Sequence, residues 1–256
     1  MSNSAVTRTD NMTLDKSTEV LKSEVTQIVD LPSDFEEEFD YKKQYTDEFY
    51  EQYITSFKPN TKKRYAYRFF KRSFDILVSL IALVILALPM LIIAIAIRLD
   101  SNGPAIFKHE RMGKDGEVFT CYKFRSMKMT APKACATSVF KDADEYFTKV
   151  GKVLRRFSLD ELPQLWCVLV GSMSIIGYRP VVLTEQKCND MRRRLGVFSA
   201  RPGISGFAQV HGRDDVYYKN KAIMDAEYVK KANFWLDIKL IFQTVGVVLS
   251  RKGNKD

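Results

Sequence analysis

The sequence predicts an α+β fold, mainly helical, with a membrane-dipping re-entrant helix leading into a helix-rich cytosolic domain that carries a small β-hairpin. Three observations carry this. Residues 76–97 form a charge-free apolar run of 22 residues. Two short alternating segments flank the turn-forming stretch Gly113-Lys-Asp-Gly116. Apolar residues then recur at helical spacing through most of the remaining chain.

The first 60 of the 256 residues differ from the rest in charge. They carry 13 Asp+Glu against 6 Lys+Arg, a net −7, whereas residues 61–256 carry 18 acids against 34 bases, a net +16. An acidic leader on a basic body suggests a polyanionic partner: nucleic acid, anionic lipid or a phosphate-rich substrate. With 46% hydrophobic and 28% charged residues, the chain is too apolar to be disordered throughout. Residues 1–33 are polar and lack the apolar core of a signal peptide. Over 34–57, Tyr41, Tyr45, Phe49, Tyr53 and Phe57 recur at four-residue steps and predict an amphipathic helix. Its aromatic face either packs on its own domain or docks a second subunit or the membrane interface.

Residues 61–98 form the basic lead-in and the membrane element. As a straight helix, Ile76–Ile97 would measure about 33 Å, enough for a hydrocarbon core of about 30 Å. Lys62, Lys63, Arg64, Arg68, Lys71 and Arg72 precede it, and Arg98, Lys108, Arg111 and Lys114 follow. The positive-inside rule places both flanks on the cytoplasmic side. Pro89 removes a backbone donor past the middle of the run. Basic ends and an internal proline favour a segment that dips in and returns to the same face, over a simple span or a buried core helix.

Residues 99–256 form the third region. Ala105–Lys108 and Val118–Lys123 predict the hairpin. Helices are predicted over Asp142–Arg156, from Ser158–Asp160 to about Val170, over Glu185–Arg194, and near Ala222–Ala232 and Phe234–Ser250. Gly171–Pro180 reads as loop or short strand, and residues 201–213 as a glycine-punctuated loop. Cys121, Cys135, Cys167 and Cys188 lack CxxC spacing, and only His109 and His211 could join them, so a structural zinc site is excluded. Reduced, buried thiols in a cytosolic setting are expected.

Asp160-Glu161 is the most pointed constellation. Its structural alternative is helix capping, since Ser158 or Asp160 can cap a following helix and acids suit a first turn. The surroundings favour chemistry: Arg155-Arg156, Arg179-Pro180, Arg201-Pro202 and Lys123-Phe-Arg125 offer phosphate-binding cations. Glycines at 203, 206 and 212 allow backbone N–H groups close to an anion. Of two such carboxylates, one can hold Mg²⁺ against a diphosphate while the other acts as nucleophile or base.

From Lys71 to about Leu249 the chain resembles the bacterial sugar transferases of the monotopic phosphoglycosyl transferase family. The matching pieces, in order, are Lys71-Arg-Ser-Phe-Asp75, Gly103-Pro-Ala-Ile-Phe107, Arg111-Met-Gly113, Lys123-Phe-Arg-Ser-Met127, Leu154 through Ser158-Leu-Asp-Glu-Leu-Pro163 to Trp166, Gly171-Ser-Met-Ser-Ile-Ile-Gly177, Arg179-Pro180, and Arg201-Pro-Gly-Ile-Ser-Gly206 through Gln209 to Gly212-Arg213. The resemblance implies transfer of a sugar-1-phosphate from a UDP-sugar to undecaprenyl phosphate at the bacterial inner membrane, at the start of surface-glycan synthesis. It implies Asp160 as nucleophile forming an aspartyl-phosphosugar with release of UMP, and Glu161 as the Mg²⁺ ligand. Lys123, Arg155 and Arg179 match positions associated with substrate phosphates or the nucleotide, and Arg125, Arg201, Gly203, Gln209 and Arg213, also in matched motifs, are expected to bind the same phosphates or nucleotide. Lys71, Arg72, Asp75 and Pro89 match the segment that anchors and breaks the re-entrant helix. The chain departs from the family at Tyr178, where proline is usual, at Cys167 for asparagine, and at Ser172 for an acid.

The competing function is a non-enzymatic, membrane-anchored basic module binding nucleic acid or lipid. The absence of a nucleic-acid motif argues against it, so no nucleic-acid partner is expected. Within the enzymes, the runner-up is Mg²⁺-dependent hydrolysis of a lipid diphosphate. A second copy of the chain is a further candidate partner.

Overall fold

The computed structural model describes residues 40–60, 64–131, 143–211 and 216–250. The chain divides into two compact units, up to Lys58 and from Pro59 onward. In the first, helix α1 (Asp47–Ser56) begins where Thr46 accepts the Phe49 amide, and Asp47 and Glu48 complement its first-turn dipole. It is shorter than the predicted 34–57. The cap starts it at 47, and residues 34–39 lie outside the described residues. Tyr45 and Phe49 stack at 4.3 Å, so the four-residue aromatic step does bring rings together.

The second unit opens with α2 (Tyr65–Asp100), 36 residues long with Pro89 inside it. It alone among the described helices is long and apolar enough to cross a membrane. Val84, Ile85, Leu88, Leu91 and Ile92 are 57–70% exposed. Leaving such side chains in water forgoes about 1.5–3 kcal/mol each, and so large an apolar surface marks an interaction face. Its ends, by contrast, are fastened to the domain. Lys71 pairs with Asp237 at 2.7 Å, and Arg72 donates to the Val168 and Leu169 carbonyls at 2.6 and 2.8 Å. Asp75 accepts the Ile175 amide at 3.1 Å, and at the far end Asp100 accepts the Val150 amide at 2.9 Å. The expected anchors Lys71, Arg72 and Asp75 are therefore tied down at one end of the apolar run.

Strands β1 (Ile106–Met112) and β2 (Val118–Phe124) form the predicted hairpin, pairing antiparallel with Phe107 opposite Lys123. Asp115 and Gly116 turn the chain with positive φ. The helix predicted over 142–156 is two pieces, α3 (Ala143–Tyr146) and α4 (Lys149–Arg156). Extended Thr148 separates them, capping α4 through the Gly151 amide and donating its own N–H to Ser126. Gly151 is required there, because a Cβ would lie 1.9 Å from the Ser126 carbonyl oxygen. Helix α5 (Gln164–Val170) starts later than predicted. Strand β3 (Ser174–Ile176), within the stretch read as loop or short strand, pairs in parallel with β4 (Gly203–Ser205), which lies in the segment read as glycine-punctuated loop. Helices α6 (Gln186–Arg194), α7 (Phe207–His211), α8 (Tyr218–Lys231) and α9 (Phe234–Ser250) complete the unit.

Two apolar clusters fix the chain between α4 and β3. Cys121, Cys167, Val168 and Met173 join β2 to α5. Ile97, Phe124 and Leu154 join the end of α2 to β2 and α4, with Leu159 and Leu162 packed against them. The described thiols, Cys121, Cys167 and Cys188, are buried and free, as expected; Cys135 lies outside the described residues.

Candidate active site

Between α4 and α5 the chain reverses at Ser158, a non-glycine residue in the left-handed region at φ 55°. Such a conformation is held by its surroundings and gathers at functional sites. Here the Ser158 amide donates to Arg155, and its carbonyl accepts from Glu161. A single 3₁₀ turn, Leu159–Glu161, follows. Neither Ser158 nor Asp160 caps α5, whose N-cap position is Pro163 with no side-chain hydrogen bond. The capping alternative fails because the acids sit in their own turn, pinned by Leu159 and Leu162 on the cluster at the end of α2.

Glu161 receives Lys123 from β2, with Nζ 2.7 Å from Oε1, and Arg179 from the loop after β3, with Nη1 at 3.5 Å. Burial works against the Glu161 charge, but Lys123 and Arg179 outweigh it and hold the carboxyl at about 2. Asp160 behaves oppositely. Burial pushes its carboxyl above the usual range, Lys123 opposes that, and the neighbouring Glu161 charge adds to it. Arg155 contributes positive potential to both carboxylates while its guanidinium covers the Phe147 ring. Two adjacent acids are thus differentiated, one a firmly ionised ion-pair partner and the other a desolvated, more basic oxygen. Such a division suits nucleophilic chemistry on a phosphate.

Lys123, Arg155 and Arg179 therefore converge on the dyad. Arg125 does not. It is buried, and its guanidinium donates to the carbonyls of Ile97, Ser101 and Asn102, capping the end of α2. Arg201 likewise donates Nε to the Gly171 carbonyl at 2.8 Å, beside the Arg72 contacts at the end of α5. Burial and the carbonyl contacts take Arg125 away from the expected phosphate-binding role, whereas Arg201 is held at the helix end through Nε alone; helix C-terminal carbonyls compete for the same guanidinium donors. Gly203 serves strand packing, since a Cβ would lie 2.1 Å from the Gly177 nitrogen. Gln209 is buried, and both polar atoms of its amide lack a hydrogen-bond partner among the described residues. Arg213 lies outside the described residues.

The three departures have local explanations. Ser172 donates to the Cys167 carbonyl at 3.1 Å and helps close α5. Cys167 fills the β2–α5 core. Tyr178 is buried and donates to the Met112 carbonyl at 3.3 Å. Sequence reading passed over Arg192, which is buried and paired with Asp225. Nothing in the basic run Arg192-Arg-Arg194 distinguishes the inward arginine from its neighbours.

Among the described residues no group of three or more His, Cys, Asp or Glu is placed to hold a metal ion. Mg²⁺ commonly takes only one or two protein carboxylates and completes its shell with water and substrate phosphate, so the Asp160-Glu161 donor set fits it.

The family model for bacterial sugar transferase matches residues 66–251. The chain is 40% identical over 212 residues to a UDP-galactose-lipid carrier transferase of Erwinia amylovora, covering 76% of this chain and 43% of that protein. It is 40% identical to an undecaprenyl-phosphate galactose phosphotransferase of Salmonella typhimurium, covering 73% and 42%. It is 34% identical to an exopolysaccharide production protein of Sinorhizobium fredii, covering 72% and 87%. The chain thus spans less than half the length of the first two and most of the third.

Proposed function

We propose, from the premise that this chain belongs to the bacterial sugar transferase family, that it transfers a sugar-1-phosphate from a UDP-sugar to undecaprenyl phosphate. The observation that carries the reading is the buried Asp160-Glu161 turn, ringed by Lys123, Arg155 and Arg179 and packed on the end of an exposed apolar helix. Such a junction lets a water-soluble donor and a lipid acceptor meet.

Asp160 attacks the sugar-bearing phosphorus. A bond forms from its carboxylate oxygen to phosphorus, and the bond to the UMP oxygen breaks with its electron pair leaving on UMP. Lys123, Arg155 and Arg179 bind and orient the diphosphate and stabilise charge on the leaving phosphate. A phosphate oxygen of undecaprenyl phosphate then displaces Asp160, restoring its carboxylate and giving the lipid diphosphosugar. Mg²⁺, held by Glu161, would supply charge neutralisation for the diphosphate. The apolar face of α2 enters the inner membrane and returns. Both its ends hydrogen-bond to one domain, and a straight crossing would put Val150 and Ile175 on opposite sides. The basic flanks support the cytoplasmic face for that domain.

The test is UMP release by the purified full chain in lipid nanodiscs, with a panel of UDP-sugars, Mg²⁺ and undecaprenyl phosphate. A sugar-dependent, Mg²⁺-dependent release that vanishes in Asp160→Asn is expected. No UMP from any sugar, or full activity in that variant, would falsify the reading.

A further inference from the structure

The loop that delivers Arg179 to Glu161 is held through three consecutive backbone carbonyls of its own, each accepting from a different element. The Tyr178 carbonyl accepts the Gly203 amide of β4 at 2.9 Å. The Arg179 carbonyl accepts Nη1 of Arg192 on α6 at 2.8 Å. The Pro180 carbonyl accepts Nη1 of Arg111 on β1 at 3.3 Å. Of the three donors, only Arg192 is a charge carried wholly inside the protein, 1% exposed, with Asp225 of α8 equally buried and 2.5 Å away.

A buried ion pair is weak evidence of stability, because desolvation offsets most of its attraction and an apolar pair of similar volume is often as stable. What an apolar pair cannot do is donate to the Arg179 carbonyl. The same guanidinium lies over the Tyr178 ring, 5.5 Å from its centroid, and the Tyr178 hydroxyl reaches Met112 on β1. The departure from the usual proline at 178 thus becomes part of the same clamp. Proline restricts the backbone through its own ring, whereas Tyr178 is restricted by contacts on both sides.

We infer that Arg192, oriented by Asp225 and stacked on Tyr178, is a positioning residue that sets where the Arg179 guanidinium stands relative to Glu161 and the donor diphosphate. This rests on the sugar-phosphate transfer proposed above. Arg192 touches no reacting atom and acts through the backbone of residue 179.

The discriminating variant is the double replacement Arg192→Met with Asp225→Leu, which removes the charges and keeps the volume. We expect a near-native melting temperature, a donor KM raised about tenfold, the loss typical of one well-placed hydrogen bond to a charged group, and an unchanged acceptor KM. In an Arg179→Ala background the same double replacement should raise donor KM no further, since its effect passes through Arg179. Amide hydrogen exchange of residues 177–182, read on the full chain in nanodiscs, should quicken. If the double variant does not fold, Arg192→Lys replaces it, keeping a charge for Asp225 without a second fork for Arg179. An unchanged donor KM in a folded variant, or an undiminished effect without Arg179, overturns the inference. Should the wild type release no UMP, the transfer reading fails by itself. The exchange measurement then decides the clamp alone, with unchanged exchange overturning it.

Discussion

Lys123 on β2 lies 2.7 Å from the Glu161 carboxylate, linking the hairpin to the 3₁₀ turn that carries the dyad. The contact crosses 38 residues of chain and is mostly shielded from solvent. It carries much of the electrostatic character of the site, because Lys123 acts on both acids.

Replacing Lys123 with methionine is expected to lower kcat/KM about 100-fold, the usual scale for removing one preorganised electrostatic contact. Without the ammonium, the Glu161 and Asp160 carboxyls both rise, so the acid limb of the pH–rate profile should move to higher pH. A profile that drops in height without shifting would mean that Lys123 does not tune the dyad.

The two acids should respond oppositely in stability. Glu161 is held at about 2 against an ordinary 4.5, so its stabilisation is present above 4.5 and is lost as pH falls from 4.5 toward 2. Glu161→Gln should flatten acid unfolding across that window. Asp160 is raised by burial, so its ionised form disfavours the fold as pH rises through its folded value. Asp160→Asn should therefore abolish transfer while raising the melting temperature at neutral pH, the stability–activity trade-off of a functional site. Thermal melts at several pH values check both; a destabilised Asp160→Asn would contradict the assignment.

Asp237 gathers Lys71, Tyr67 and Tyr228 at 2.6–2.8 Å, three donors joining α2, α8 and α9. Removing one member of a buried charge pair leaves the other uncompensated, so Asp237→Ala should destabilise the domain by about 3–5 kcal/mol. Pairing Lys71→Met with Asp237→Leu should recover part of that loss. Unfolding of the full chain in detergent measures it. Equal destabilisation by the single and the paired replacement would show that charge is not the binding element.

For the membrane helix, cysteines at residues 73 and 101 should both be labelled by an impermeant reagent from the cytoplasmic side of inverted vesicles, and neither from the periplasmic side. Labelling of one site from each side would establish a straight span and remove the re-entrant reading.

By itself the sequence determined the large features. The 22-residue apolar run favoured a membrane element over a buried core helix, and α2 is left largely exposed. Gly113–Gly116 set the hairpin, and helical periodicity placed α6, α8 and α9 within a few residues. The Asp160-Glu161 pair was legible because two acids amid arginines are chemically pointed whatever the fold. What only the tertiary structure decided was the job of each cation. Lys123, Arg155 and Arg179 face the dyad, whereas Arg72, Arg125 and Arg201 cap helix ends and Arg192 is buried behind the Arg179 loop. The parallel pairing of β3 with β4 was likewise invisible, since three-residue strands carry too little periodicity to register. The reason is common to both: a guanidinium or a short backbone segment takes its role from the acceptors within about 3 Å of it. Those acceptors lie tens of residues away along the chain.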